Sequence, residues 1–404
     1  MPSACFEQAV ATNCWGLPSF DGLSHRSSCD KLTTGLGCLR GTHNGEGVMA
    51  NILGEARAAK YDEFYTQYAD IEREINAYLE YNENCFRDKV VLLPCDDPDW
   101  SNFTKYFAQN FERLGLKKLI STSYAQDSKP YKLPVQLSLF EINSPDYDES
   151  KTNSHGKIFT LTRRNKKVDI NDLKWKYLEG DGDYQSAEVC ALRDEADIII
   201  TNPPFSKFRE FLAWIVGANK GFVIIGNINA LTYKEVFPLI RDNKLWLGNG
   251  FNKGNGYFCI PSGTQTDYAQ GVYDESTGLV KFRNCCWFTN LEHGRRHQPL
   301  ELMTMDKNIK FSKHKDVRGN NYNKYDNYDA IEVPFTDAIP SDYEGVMGVP
   351  VSFLDKYCPE QFEIIGLIAG NIKGLAGIES STGKDGPYIN GKLKYGRILI
   401  KKRG

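Results

Sequence analysis

Ala196-Asp197-Ile198-Ile199-Ile200-Thr201-Asn202-Pro203-Pro204-Phe205 is the stretch on which the reading of the fold turns. Its first half is a short β-branched run of the kind that forms a buried parallel strand. In open α/β sheets ligands gather beyond the carboxyl ends of the strands, which is where Asn202–Phe205 falls. Two consecutive prolines fix φ and lack N–H donors, so the loop is stiff and the Pro203 carbonyl is an acceptor beside the amide oxygen of Asn202. An exocyclic NH₂ on a planar ring can give one hydrogen to each, while Phe205 offers a face for stacking. Those are the requirements for holding a base swung out of a duplex. A plain helix start also accounts for part of the pattern, with Ser206 as N-cap before Phe208, Phe211, Leu212, Ile215 and Val216.

The same residues, Asn202, Pro203, Pro204 and Phe205, look like the catalytic motif of amino-methyltransferases. Around them lie longer and more unusual blocks: Asp62-Glu63-Phe64-Tyr65-Thr66-Gln67-Tyr68, Cys95-Asp96-Asp97-Pro98 with Ser101-Asn102-Phe103 and Lys105-Tyr106-Phe107, Leu114-Gly115-Leu116-Lys117-Lys118-Leu119-Ile120, Gly180-Asp181-Gly182-Asp183, Thr232-Tyr233-Lys234-Glu235-Val236-Phe237, and Gly345-Val346-Met347-Gly348-Val349-Pro350. In order and spacing these resemble the EcoRI-type adenine-specific DNA methyltransferases from about Lys60 to the C-terminus. The resemblance implies S-adenosylmethionine as cofactor, with Tyr65, Thr66 and Gln67 near its methionine end and Cys95, Asp96, Asp97 and Pro98 around its sulfonium side. It also implies that Asp183 accepts from the cofactor's adenine amino group, and Tyr184 offers that ring an apolar face. One departure stands out: the common methyltransferase pattern has a Gly-rich turn after the first strand and an acidic residue after the second. Here the second strand ends in Ser121-Thr122-Ser123-Tyr124, which leaves the ribose ligand open.

Composition permits this reading. The chain has 404 residues, 41% apolar and 25% charged, enough for one large or two ordinary cores. A net charge of −3 argues against a protein that merely coats nucleic acid, so a DNA site has to be a local patch. No run of eighteen apolar residues and no signal-peptide pattern are present, which points to an intracellular, DNA-associated protein without a membrane segment. Nothing calls for an obligate protein partner, and a monomer is consistent with the sequence. Eleven cysteines contain no C-x-x-C, and the spacing of Cys5, Cys14, Cys29 and Cys38 lacks the short pairs of zinc sites, so no metal is expected. The Pro94-Cys95 pair has the look of a cytosine-methyltransferase nucleophile. Transfer to an amino group needs no covalent intermediate, and Cys95 is better read as the cap of the first strand.

Regular periodicity begins near Lys60. A helix is expected around Ile71, Ile75, Tyr78 and Leu79. Strands follow at 90–93, 119–122, 196–200 and 221–225, with helices at 103–111 and 233–241 and a further strand at 245–247. The alternation predicts an α/β, doubly wound, Rossmann-like methyltransferase sheet. Residues 1–48 lack periodicity and are expected to be a disordered extension, with Met49 as a candidate start. Residues 49–292 are expected to form the S-adenosylmethionine-binding catalytic domain. Residues 293–404, rich in Asn, Tyr and Lys, are expected to form the target-recognition region. Lys207 and Arg209 beside the catalytic loop, and Lys313, Lys315 and Arg318, are candidate phosphate contacts of double-stranded DNA. The Gly377–Gly383-Lys384-Asp385 stretch fails as a phosphate loop, having one residue too many and Asp where Ser or Thr is needed.

The function expected from all this is site-specific adenine-N6 methylation of duplex DNA. Three other readings compete: methylation of RNA adenine or protein glutamine, N4-cytosine methylation, and DNA binding without catalysis.

Overall fold

The computed structural model describes residues 64–97, 101–128, 146–163, 175–251, 255–260, 270–370 and 372–404. Residues 1–48, Met49 and Pro98 therefore lie outside the described residues.

The strands are β1 (Tyr65–Thr66), β2 (Val90–Leu93), β3 (Lys118–Thr122), β4 (Lys157–Thr162), β5 (Trp175–Tyr177), β6 (Ile198–Thr201), β7 (Gly221–Asn227), β8 (Trp246–Leu247), β9 (Asn255–Cys259), β10 (Tyr273–Asp274), β11 (Leu279–Arg283), β12 (Cys285–Thr289), β13 (Ile331–Glu332), β14 (Met347–Pro350), β15 (Phe362–Ile368), β16 (Tyr388–Ile389), β17 (Lys392–Leu393) and β18 (Arg397–Lys402). The α-helices are α1 (Tyr68–Tyr81), α2 (Asn102–Gln109), α3 (Phe111–Leu114), α4 (Ala187–Glu195), α5 (Phe208–Gly217), α6 (Phe237–Arg241) and α7 (Met305–Phe311).

The central sheet has eight strands in the order β5-β4-β3-β2-β6-β7-β12-β8. Its middle, β3-β2-β6-β7, is parallel, and antiparallel strands close both edges. It is a mixed sheet with the Rossmann-like methyltransferase architecture at its centre. Side chains alternate strictly between two cores. Val91, Leu93, Leu119, Ile198, Ile200 and Val223 pack with Ile71, Ile75 and Tyr78 of α1 and Phe103, Tyr106 and Phe107 of α2. Leu92, Ile120, Ile199, Phe222 and Ile224 pack on the other face with Val189 of α4 and Phe211, Leu212 and Ile215 of α5. Strands apolar on both faces are what a parallel sheet sandwiched by helices demands. Since β2 leads to β3 on one side and neighbours β6 on the other, strand order reverses between β2 and β6, and a crevice opens there.

Local differences from the expected elements have local causes. The helix expected from Phe103 to Phe111 breaks at Asn110, whose amide donates to the Tyr106 carbonyl and ends the first segment. The helix expected over 233–241 is reduced to α6, because Ile228–Thr232 forms a 3₁₀ turn capped by Asn227, and Pro238 can stand only in a helix's first turn. Ser206 is not the N-cap of α5: Phe205–Lys207 forms a 3₁₀ turn closed by Lys207 N–H to the Pro204 carbonyl, and Lys207 takes the cap position.

Beyond residue 291 a second sheet forms in the order β13-β14-β18-β15. Its Met347, Val349, Ile364, Leu367, Ile398 and Ile400 belong to the same hydrophobic cluster as α5 and α6. A small third sheet, β1-β9-β11-β10, lies beside the 202–205 loop, with Phe258 and Phe282 packed against Phe205.

Candidate active site

At the reversal point between β2 and β6 the described residues enclose a cavity of about 220 Å³. Its walls bring together segments far apart in sequence: Phe64, Tyr65 and Thr66; Cys95, Asp96 and Asp97; Ser123 and Tyr124; Asp183 and Tyr184; Asn202, Pro204 and Lys207. Ten of the residues singled out from sequence thus share one cavity. Gln67, Pro203, Phe205 and Arg209 do not line it. Gln67 donates its side-chain amide to the Tyr257 carbonyl at 2.9 Å, which fastens the start of α1 to β9.

At the head of the 202–205 loop Asn202 is held by an asymmetric contact. Asn202 Nδ2 donates to the Phe64 carbonyl at 2.7 Å, and only the nitrogen end of the amide can do so. The oxygen is thereby turned away, and Asn202 Oδ1 is buried with no protein partner among the described residues. Such an atom costs about 1–3 kcal/mol unless something donates to it. Two further buried oxygens of cavity-wall residues lack partners among the described residues, Thr66 Oγ1 and Tyr184 OH. Burial pushes the Tyr184 phenol up to about 12, so it stays neutral and able to donate. The Tyr184 ring is held edge-on by Phe211 and Trp214, and the Lys207 ammonium lies 5.8 Å from its centre. Phe205 stacks on Phe64 at 6.1 Å and 25°, with Phe258 and Phe282 at its edges.

The floor is a backbone lattice. Ser123 N–H donates to the Lys157 carbonyl, Gly156 N–H to that of Gly180, and Ala125 N–H to that of Asp181. At Gly182, φ is +80°, and a Cβ would stand 2.1 Å from the Ser123 carbonyl oxygen. Gly182 therefore has a steric purpose, letting the 180–184 turn lie close against the end of β3 with Asp183 and Tyr184 on the cavity wall. Asp183 accepts from Gln185 N–H at 2.8 Å through one carboxylate oxygen.

Asp96 is 6% exposed and accepts short bonds from Ser101 Oγ and Thr201 Oγ1, both at 2.6 Å. Burial dominates its titration and pushes the carboxyl up to about 7 from 3.8, with the two hydroxyls opposing the rise and nearby Asp97 adding to it. The folded protein therefore keeps a proton that the unfolded chain releases above about pH 4. The stability this adds is complete below that pH and is lost as pH rises through 7. Between pH 5 and 6.5 the wild type should lose roughly 1.4 kcal/mol per pH unit relative to Asp96→Asn. Urea unfolding of both proteins across that range measures it, and parallel curves would mean that Asp96 is ionised throughout.

Sequence reasoning missed Ser101, Thr201, Phe64 and Asn102. Ser101 had a legible signal, standing as N-cap of α2 and accepting from Phe103 N–H at 3.0 Å. The Asn102 amide reaches the Thr66 carbonyl at 2.8 Å across 36 residues, a contact no local pattern announces. Of the candidate phosphate contacts, Arg209 lies over the Tyr233 ring at 5.6 Å, and Lys313 pairs with Asp337 at 2.8 Å. Lys315 and Arg318 are exposed.

An α/β sheet with a cavity at its reversal point, lined in part by an Asn-Pro-Pro-Phe loop, is the arrangement expected of an amino-methyltransferase. The family model described as adenine-specific methyltransferase EcoRI matches residues 52–403, and the chain belongs to that family. It is 42% identical over 358 residues to the type II methyltransferase M.EcoRI of Escherichia coli, covering 87% of this chain and 96% of that protein. It is 32% identical over 357 residues to the type II methyltransferase M.MpnI of Mycoplasma pneumoniae, covering 86% and 97%. A similar 32% relates it to M.MgeORF184P of Mycoplasma genitalium. No solved structure matches. Among the described residues, no helix is long and apolar enough to cross a membrane.

Proposed function

We propose that the protein methylates the N6 atom of an adenine flipped out of a specific site in duplex DNA, with S-adenosylmethionine as methyl donor. The observation that carries this reading is Asn202, a residue of the cavity wall whose nitrogen is anchored on the Phe64 carbonyl while its buried oxygen has no partner among the described residues. An amine bound there gives one hydrogen to Asn202 Oδ1 and the other to the Pro203 carbonyl. Its lone pair is then turned out of the plane of the ring, ready to attack. Phe205 is backed by Phe64, which steadies its ring for stacking on the base.

The donor set fits S-adenosylmethionine. The Asp97 and Asp183 carboxylates on the cavity wall suit an ammonium, ribose hydroxyls and an adenine amino group, and the unpaired hydroxyls of Thr66 and Tyr184 add neutral hydrogen-bonding capacity. When bound, this cofactor supplies an electrophilic methyl on a sulfonium. Thr66, Asp97 and Asp183 hold it, Tyr184 contributes a ring face, and Tyr65 and Cys95 shape the wall. Lys207 and Arg209 stand beside the loop, where they can meet the phosphates of the strand being opened. Residues 293–404, with Lys315 and Arg318 exposed, carry target recognition, and residues 49–292 the chemistry.

Incubation with methyl-labelled cofactor separates this reading from its competitors. Duplex DNA is expected to acquire label at adenine N6 at a fixed sequence, whereas RNA and protein remain unlabelled. Label on glutamine, on RNA or at cytosine N4 would move the assignment to the corresponding alternative. DNA binding without label would leave only a silent binding protein.

A further inference from the structure

We infer that the Thr201–Asp96–Ser101 hydrogen-bond chain positions the catalytic loop, and that the Asp96 carboxylate is a positioning group and not a cofactor ligand. The inference rests on the proposed role of Asn202 and extends it.

Register between β2 and β6 covers only Val91 with Ile198 and Leu92 with Ile199. Beyond Leu92 no ladder pairing joins the two strands, and the residues that follow them, Pro94, Cys95 and Asp96 on one side and Asn202 on the other, line the cavity. Backbone pairing therefore cannot hold the end of β6 to the end of β2 at the level where Asn202 emerges. Thr201 Oγ1 bridges that gap by donating to Asp96 Oδ2 at 2.6 Å. Ser101 Oγ donates to the other oxygen at 2.6 Å and at the same time caps α2. The backbone of Asp96 is fixed as well, since its N–H donates to the Thr122 carbonyl and its carbonyl accepts from Ser121 Oγ. Thr201 is fully buried, so its hydroxyl has no water to turn to.

Two short bonds from fixed hydroxyls hold this carboxylate as a joint among β2, β3, α2 and β6, one residue before Asn202. The Asn202 amide is consequently located from two sides, by Phe64 at its nitrogen and by Thr201 at its backbone. A shift of about 1 Å at such a loop is enough to cost a large factor in rate. The mutation that isolates the link is Thr201→Val, which keeps the shape and removes the donor.

The experiment is steady-state methylation of duplex DNA by the full chain, with KM for S-adenosylmethionine and kcat measured separately, on Thr201→Val, Thr201→Ser and Asn202→Ala. Thr201→Val is expected to lower kcat roughly 10- to 100-fold with KM for the cofactor within about threefold, and Thr201→Ser to restore kcat to within about threefold of wild type. Should Val not fold, Thr201→Ala, which crowds nothing, replaces it with the same expectation. Three results overturn the inference: wild-type kcat in the Val variant, an equal loss in Val and Ser, or a rise in cofactor KM with kcat intact, which would make Asp96 part of the cofactor site. Normal turnover in Thr201→Val beside an inactive Asn202→Ala defeats this inference alone, while an active Asn202→Ala defeats the reading beneath it.

Discussion

Asn202→Ala is expected to reduce methyl transfer to duplex DNA by roughly a thousandfold while S-adenosylmethionine binds within a few-fold of its wild-type affinity. The amide oxygen is an acceptor for an amine hydrogen whose acidity grows as nitrogen attacks, and losing one preorganised polar group of this kind typically costs about 10²–10³ in kcat. Binding of the cofactor alone does not require that oxygen, so the loss should fall on turnover. Asn202→Asp separates the two ends of the amide. It keeps an acceptor but leaves the Phe64 carbonyl without its donor, so it should retain more transfer than alanine and melt at a lower temperature. Single-turnover methylation beside equilibrium cofactor binding makes the comparison, and near-wild-type transfer in the alanine variant would refute the mechanism.

The second large effect is expected at Gly182→Ala. A Cβ there would lie 2.1 Å from the Ser123 carbonyl oxygen, a backbone atom that cannot swing aside as a flexible side chain would. The residue also has φ of +80°, a conformation that costs a side chain about 1–2 kcal/mol before any contact is counted. Relief requires the 180–184 turn to lift from the end of β3, carrying Asp183 and Tyr184 off the cavity wall. Cofactor affinity should fall at least roughly thirtyfold, which corresponds to about 2 kcal/mol. Calorimetric titration with S-adenosylmethionine tests it, together with Gly180→Ala as a control, because a Cβ at Gly180 meets nothing within 4 Å. Equal affinities in the two variants would show that the close approach to Ser123 is unimportant.

The parallel centre of the sheet was legible because β-branched and leucine runs at Val90–Leu93 and Ile198–Thr201 have one physical explanation, burial on both faces. The cavity residues were largely legible too, through strand-end placement and the family resemblance. The contacts that orient them were not. Phe64 reaches Asn202 across 138 residues through a backbone carbonyl, which any residue type offers. Thr201 reads as one more β-branched strand residue until its hydroxyl is seen to face Asp96. The C-terminal sheet escaped notice for a different reason. Its central strand, Arg397–Lys402, shows only the three apolar residues Ile398-Leu399-Ile400, and β15 carries a register shift between Ile364 and Gly366 that disturbs its alternation.

The hydrophobic cluster that runs without interruption from α5 and α6 into Met347, Val349, Ile364 and Ile398 bears on how this enzyme can be re-targeted. If residues 293–404 read the target, as proposed, exchanging that whole region as a module would cut through shared core, exposing leucine and isoleucine faces shaped for one particular mate. New sequence preferences are better sought by grafting the solvent-facing segments that the second sheet carries, leaving its strands and their buried side in place.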